Sequence, residues 1–224
     1  MRDLGGLPWA GGVTRTGAVV RSDNVSNLND AGVQAMWDYG VSTVIDLRSE
    51  SEVAQRPSPF APADYGPTYL HLPLVDDALA PELNHADGMA TRYTLMLDRR
   101  QQALGKIFSA VAAGDGAVVF HCFAGKDRTG LVAAMILRLV GVEPGAIASD
   151  YSETDQQLAS KYEEWLAAAP PDRLEVMRDE LRCPPEWMLG ALDHIDRKWG
   201  GVKAYLGGAG VRPAEIARMQ AKLT

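Results

Sequence analysis

The chain has 224 residues, with 22 Lys and Arg against 29 Asp and Glu, a net charge of −7 and a pI near 5.1. That length can bury a substantial core and points to one domain spanning 1–224, while the acidic balance argues against general binding to nucleic acid or an anionic membrane, since both need a basic face. Two cysteines give no disulfide framework and suit a reducing compartment. With no run of about 18 apolar residues and no charged, apolar, small-residue progression at the N-terminus, the expected location is cytoplasmic, without a membrane span.

Residues 1–17 hold Gly5, Gly6, Gly11, Gly12 and Gly17 with Pro8, and read as irregular or as loosely paired strands. Gly17–Arg21 follows as a strand. Asn29 or Asp30 can cap a helix to about Tyr39, with Val33, Met36 and Trp37 at helical spacing and Gly40 where a helix stops. The next strand, Val41–Leu47, carries Asp46 and Arg48 to the carboxyl edge of the sheet, where ligands of open α/β sheets bind. The two residues either border the active site or form an ion pair or a cap for a helix beginning near Glu50.

Pro57, Pro59, Pro62 and Pro67 mark a surface connection ahead of a strand over Thr68–Leu74. From Val75-Asp76-Asp77 to about Asp87 the chain is polar and long enough to be a functional loop. Met89–Ala112 has helical spacing, as two helices around Asp98-Arg99-Arg100; on it Arg92 and Tyr93 either line a pocket or belong to the core. Gly114-Asp115-Gly116 turns the chain into a short apolar strand of Val118, Val119 and Phe120, and Leu131–Val140 is long enough for a helix.

Beyond Val140 the chain reads as helical. Glu143-Pro144 opens one helix, Leu158–Ala168 forms another with Tyr162, Trp165 and Leu166 on one face, and Pro170-Pro171 separates it from Arg173–Leu181. Pro184-Pro185 starts a helix to Trp199 and Pro213 the last. Strands alternating with helices, then a helical C-terminal third, predict an α/β fold with a central, largely parallel sheet flanked by helices. The active site is expected at the carboxyl ends of the strands.

The loop between the Val118–Phe120 strand and the following helix concentrates the chemistry: His121-Cys122-Phe123-Ala124-Gly125-Lys126-Asp127-Arg128-Thr129-Gly130. A short loop wrapping from a strand into a helix N-terminus turns its N–H groups inward and makes a concave anion site, reinforced by the helix dipole. Cys122 at its start faces the same donors, which favour a thiolate and make it a candidate nucleophile. Arg128 can hold two phosphate oxygens with its planar fork. Thr129 can place a hydroxyl near the sulfur, and Gly125 permits a turn that a Cβ would obstruct. Cys183 reads as structural.

This ten-residue loop resembles the signature of cysteine-dependent protein tyrosine phosphatases, and its Gly-Lys-Asp-Arg form is similar to a bacterial branch of that family. Arg2-Asp3-Leu4-Gly5-Gly6, Arg21-Ser22-Asp23, Val44-Ile45-Asp46-Leu47-Arg48-Ser49 and Gly200-Gly201-Val202-Lys203-Ala204-Tyr205-Leu206 resemble the branch in the same order, so the likeness covers effectively the whole chain. The resemblance implies the cysteine phosphatase fold and hydrolysis of a phosphomonoester without metal or other cofactor, releasing inorganic phosphate. Cys122 would be the nucleophile, Arg128 the phosphate clamp, and Phe123, Ala124, Gly125, Lys126, Thr129 and Gly130 the rest of the cradle. An acid at the position of Asp127 is thought to protonate the leaving group in that branch; otherwise Asp127 only orders the loop. Asp76, Asp77 and Asp46 are the other candidate acids, though the Asp76 loop lacks the Trp-Pro-Asp pattern of other tyrosine phosphatases.

The first substrate reading is phosphotyrosine in proteins, with broader specificity left open. Lys126, as a second cation beside Arg128, leaves phosphoinositides as the alternative. A phosphopeptide-binding pseudo-enzyme is disfavoured by intact Cys122, Asp127 and Arg128. In that branch helices after the loop partly cover the active site, so residues 152–181 form either a lid or ordinary packing helices. The branch also includes a secreted enzyme, which leaves signal-free export open.

Overall fold

The computed structural model describes residues 1–61 and 66–224, so Pro62 of the proline-rich connection lies outside the described residues. In chain order the elements are β1 (Arg2–Asp3), β2 (Pro8–Trp9), β3 (Gly12–Val13), β4 (Val19–Ser22), α1 (Asp30–Asp38), β5 (Val41–Asp46), α2 (Glu50–Gln55), β6 (Thr68–His71), α3 (Ala80–His85), α4 (Gly88–Arg99), α5 (Gln101–Ala113) and β7 (Ala117–His121). Helices then follow: α6 (Asp127–Leu139), α7 (Pro144–Ser152), α8 (Thr154–Gln157), α9 (Ala159–Ala167), α10 (Leu174–Leu181), α11 (Pro185–Trp199), α12 (Val202–Gly208) and α13 (Pro213–Leu223). The protein is therefore α/β, as predicted. None of the helices among the described residues is long and apolar enough to cross a membrane.

Among the described residues the main sheet runs β1-β4-β7-β5-β6, parallel except for β1. Its central strand β7 is buried along its whole length because both faces are covered. Alternation divides its side chains: Val118 and Phe120 join the larger core with α4–α7 and α11–α13, while Val119 joins a smaller one with Val20, Met36 and Val44 on the α1 side. Each such apolar side chain contributes about 1.5–3 kcal/mol relative to an exposed one. The last rungs align Ser22, His121, Asp46 and His71 in one row, and the loop after β7 leaves the sheet at that row.

Most boundaries fall near the expected ones, and the differences have local causes. Asn29 caps α1 by accepting from the Gly32 N–H at 2.9 Å. α6 begins at Asp127, not Leu131, so the polar second half of the signature loop is already the helix's first turn. The polar stretch after Asp76 is not loop throughout: Asp76 accepts from the Leu79 N–H at 2.9 Å, and buried Leu79 and Leu83 anchor α3. The proline-rich connection is not wholly on the surface either, since Ser58 and Phe60 are each 3% exposed.

Candidate active site

β7 delivers Cys122 to the bottom of the loop, where it is buried and its Sγ accepts from the Gly125 N–H at 3.3 Å. Gly125 has φ +72°, and a Cβ there would stand 2.6 Å from the Ser22 carbonyl oxygen and 2.7 Å from the Asp23 nitrogen. The end of β4 therefore presses on the loop at the one position that only glycine can fill. Because α6 starts at Asp127, the loop ends in the unpaired amides of a helix first turn and the positive end of its dipole. Gly130 closes that first turn, its N–H donating to the Lys126 carbonyl at 2.8 Å. Thr129 is fully buried, and its hydroxyl has no hydrogen-bond partner among the described residues.

Arg128 is held by a residue that the sequence reading missed. Its Nη1 donates to Glu52 Oε2, and its Nη2 to Oε1 at 2.8 Å. Burial alone would lower the Arg128 pKa, but the Glu52 pair raises it above the usual value; burial would raise Glu52, and the same pair lowers it. The carboxylate takes the Nη1–Nη2 edge of the guanidinium, so Nε stands outside this pair. Glu52 is positioned by α2, where Ser49 and Glu52 form a reciprocal capping box. That Ser-x-x-Glu pattern was the available signal, though it reveals the cap and not the arginine 76 residues away.

Asp127 stands at the head of α6. Tyr93 Oη donates to its Oδ1 at 2.6 Å, and the Tyr151 hydroxyl lies 2.6 Å from that of Tyr93. Tyr93 is fully buried, and burial with the adjacent carboxylate pushes its pKa well up, so it remains a donor. Tyr93 is thus both a core aromatic and a contact of the loop. Lys126 is also buried: its Nζ donates to the Glu180 carbonyl, lies 3.2 Å from Asp127 Oδ1, and sits 5.4 Å from the centre of the Trp187 ring.

The segment 152–181 packs on the loop at separate points. Phe123, 40% exposed, stacks on Trp165 of α9 with centroids 6.0 Å apart, and Lys161 pairs with Asp23. Glu180 of α10 receives Arg92 at 2.6 Å as well as Lys126. Cys183, just beyond, is buried, and burial pushes its thiol up to about 12. This fits the structural role expected for it.

The remaining candidates separate. Asp46 and Arg48 are fully buried and joined by several hydrogen bonds, the shortest 2.6 Å, and Tyr69 donates to Asp46 at 2.9 Å. Burial would raise Asp46, but Arg48 holds it below its usual value. The pair forms the expected ion pair, while Ser49, not Asp46 or Arg48, caps α2. Asp76 is taken up by Arg100. Asp77 lines a cavity of about 390 Å³ that also reaches Asp127, Arg128, Glu52 and Arg92, and there it accepts from the Ser51 hydroxyl at 2.7 Å. Val75, Leu83, Met89 and Met96 give this cavity an apolar wall.

A thiol that accepts a loop N–H, a clamped guanidinium and a carboxylate at one helix start are a set of groups able to bind and cleave a phosphomonoester. Comparison with known proteins agrees with this chemistry. A family model described as the tyrosine phosphatase family matches residues 1–224. The chain is 30% identical to the triple specificity protein phosphatase PtpB of Mycobacterium tuberculosis, across 93% of this chain and 91% of that protein. It is likewise 30% identical to a tyrosine-protein phosphatase of Nostoc commune, across 92% of this chain and 74% of the relative. The chain belongs to the tyrosine phosphatase family.

Proposed function

We propose that the protein hydrolyses phosphotyrosine in proteins through a phosphocysteine intermediate, without a metal. The observation that carries this is the Gly125 N–H directed at Cys122 Sγ at 3.3 Å, in a loop that opens directly into α6 with Arg128 in its first turn. The Cys122 thiolate attacks phosphorus, and the ester P–O bond breaks as Asp127 protonates the leaving oxygen. Water then attacks phosphorus with Asp127 as base, and the S–P bond breaks to return the thiolate and release phosphate. The loop amides and Arg128 hold the equatorial oxygens throughout. Thr129, whose buried hydroxyl lacks a protein partner among the described residues, supports the departing sulfur.

The cavity favours an aryl ester over a multiply phosphorylated headgroup. It offers an apolar wall, and its carboxylates Glu52, Asp77 and Asp127 face two guanidinium groups, Arg92 and Arg128, each already paired. Lys126 is already engaged as well, by the Glu180 carbonyl and Asp127. We read α9 and α10 as a cover over the loop: neither contains a buried residue, so little apolar burial holds them in place. Phosphate release from phosphotyrosyl peptides and from phosphoinositides, with chelator present, tests the assignment. Peptides are expected to be the better substrates; a preference for phosphoinositides, or a need for metal, overturns it.

Two substitutions probe the supporting residues. Lys126→Met is expected to lower kcat/KM for both substrate classes alike, by about tenfold, the worth of a charge-assisted hydrogen bond. A loss confined to phosphoinositides would show Lys126 reading a second phosphate. Glu52→Gln is expected to lower kcat/KM by about ten- to hundredfold with little change in thermal midpoint, because Arg128 loses its charged partner but the Ser49 cap keeps an acceptor. Unchanged kinetics would mean that the loop alone orients Arg128.

A further inference from the structure

Arg21 on β4 lies outside the machinery described above, yet it touches the phosphate loop from behind. Its side chain is 3% exposed; Nη2 donates to the Gly125 carbonyl at 2.9 Å, and Nη1 donates to Asp150 Oδ2 on α7 at 2.7 Å. Asp150 neutralises the buried guanidinium and fixes its direction. Arg2 ties down the same helix end through Asp150, meeting its carbonyl at 2.6 Å and, more distantly, the other carboxylate oxygen Oδ1 at 3.5 Å, and through Glu153 at 3.2 Å, without a recorded contact to the loop.

The peptide that Arg21 grips has a particular orientation to keep. In a trans peptide the C=O of Gly125 and the N–H of Lys126 point in opposite directions. The φ values alternate in sign, +72° at Gly125 and −95° at Lys126, the pattern that aims successive N–H groups into one anion-binding concavity. The Gly125 N–H already meets the Cys122 sulfur on that concave side. Glycine's freedom makes the 125–126 plane the one in the loop most able to rotate, and a rotation would turn a carbonyl oxygen toward thiolate and phosphate.

We propose that Arg21 is a positioning residue for the phosphate loop: by holding the Gly125 carbonyl outward it keeps the Lys126 N–H turned into the cradle, while Asp150 holds Arg21. The proposal rests on reading the loop as a phosphate cradle, and its effect is felt most where the equatorial oxygens carry most charge, in the transition state.

The test compares the full chain with Arg21→Gln, Arg21→Lys and Arg2→Gln, measuring nitrophenyl phosphate turnover, inhibition by vanadate and by inorganic phosphate, and thermal midpoint. Arg21→Gln is expected to lose about ten- to hundredfold in kcat and to weaken vanadate, which mimics the transition state, more than phosphate. Arg2→Gln is expected to lower the midpoint with kcat unchanged. Arg21→Lys keeps a cation for Asp150, but one ammonium cannot serve both partners as the fork does, so it is expected to fold normally and keep the kinetic defect. That variant decides the matter if Arg21→Gln does not fold. Wild-type kcat and vanadate affinity in Arg21→Lys, or equal kinetic losses in Arg2→Gln and Arg21→Gln, overturn the proposal. Absence of turnover in the unaltered protein instead removes the phosphatase reading itself.

Discussion

Cys122→Ser is expected to abolish turnover, by at least about 10⁴-fold, while phosphate and phosphotyrosyl peptide still bind. The sulfur sits where its recorded partner is a donor, the Gly125 N–H, which suits an anion and gives a neutral hydroxyl no help in losing its proton. Nor does the neighbouring histidine supply a base. His121, the neighbour in sequence, is fully buried, burial lowers its pKa, and its Nδ1 lies 3.2 Å from the Cys122 carbonyl, an atom that can only accept. Its Nε2 lies 3.6 Å from Asp46 Oδ2, so both ring nitrogens face groups other than the side chain of residue 122. The N–H cradle and the Arg128–Glu52 clamp do not depend on sulfur, so binding should persist. Turnover with nitrophenyl phosphate and the rise in thermal midpoint with added phosphate measure the two halves separately. Residual activity near that of the unaltered protein would end the covalent mechanism, and loss of phosphate binding would show that the thiolate itself shapes the loop.

The strand–loop–helix unit was legible because its signals are local: an apolar run, a glycine needed at positive φ, and residue types with one evident use. The start of α6 was misread for an equally local reason. Asp127, Arg128, Thr129 and Gly130 are polar or small, as a loop would be, and nothing in the sequence shows that they already form the helix's first turn. α3 was hidden within a polar stretch, and α12 among Gly200, Gly201, Gly207 and Gly208. Its hold comes from distant groups: its buried Tyr205 donates its hydroxyl to the Leu97 carbonyl at 2.6 Å. What the sequence could not supply were the long-range polar partners. Glu52 and Arg128, Arg21 and the Gly125 carbonyl, and Lys126 and the Glu180 carbonyl are each far apart in the chain and share no periodicity. For Asp46 and Arg48 both readings were open at the sheet edge. Full burial accounts for the ion pair, because a buried charge must find a partner and these two meet each other.

Asp127→Asn is expected to slow hydrolysis of phenyl phosphate by roughly 10² to 10⁴, and of a nitrophenyl phosphate far less. Phenolate leaves with a pKa near 10, so its departure needs a proton, whereas the nitrophenolate is a weaker base and departs largely unaided. The geometry makes Asn a discriminating substitution. The recorded contacts of Asp127, from Tyr93 at 2.6 Å and Lys126 at 3.2 Å, both fall on Oδ1. An asparagine oxygen can accept the Tyr93 hydroxyl in the same way, so the order of the loop is retained while the proton that Oδ2 would deliver is lost. If Asp127 only orders the loop, the substitution should slow both esters to the same small extent. Asp77 is the competitor with a place in the same cavity, whereas Asp76 is held by Arg100. Should Asp77→Asn show the leaving-group dependence and Asp127→Asn not, the acid is Asp77, and the Tyr93–Asp127 contact is a brace for the start of α6.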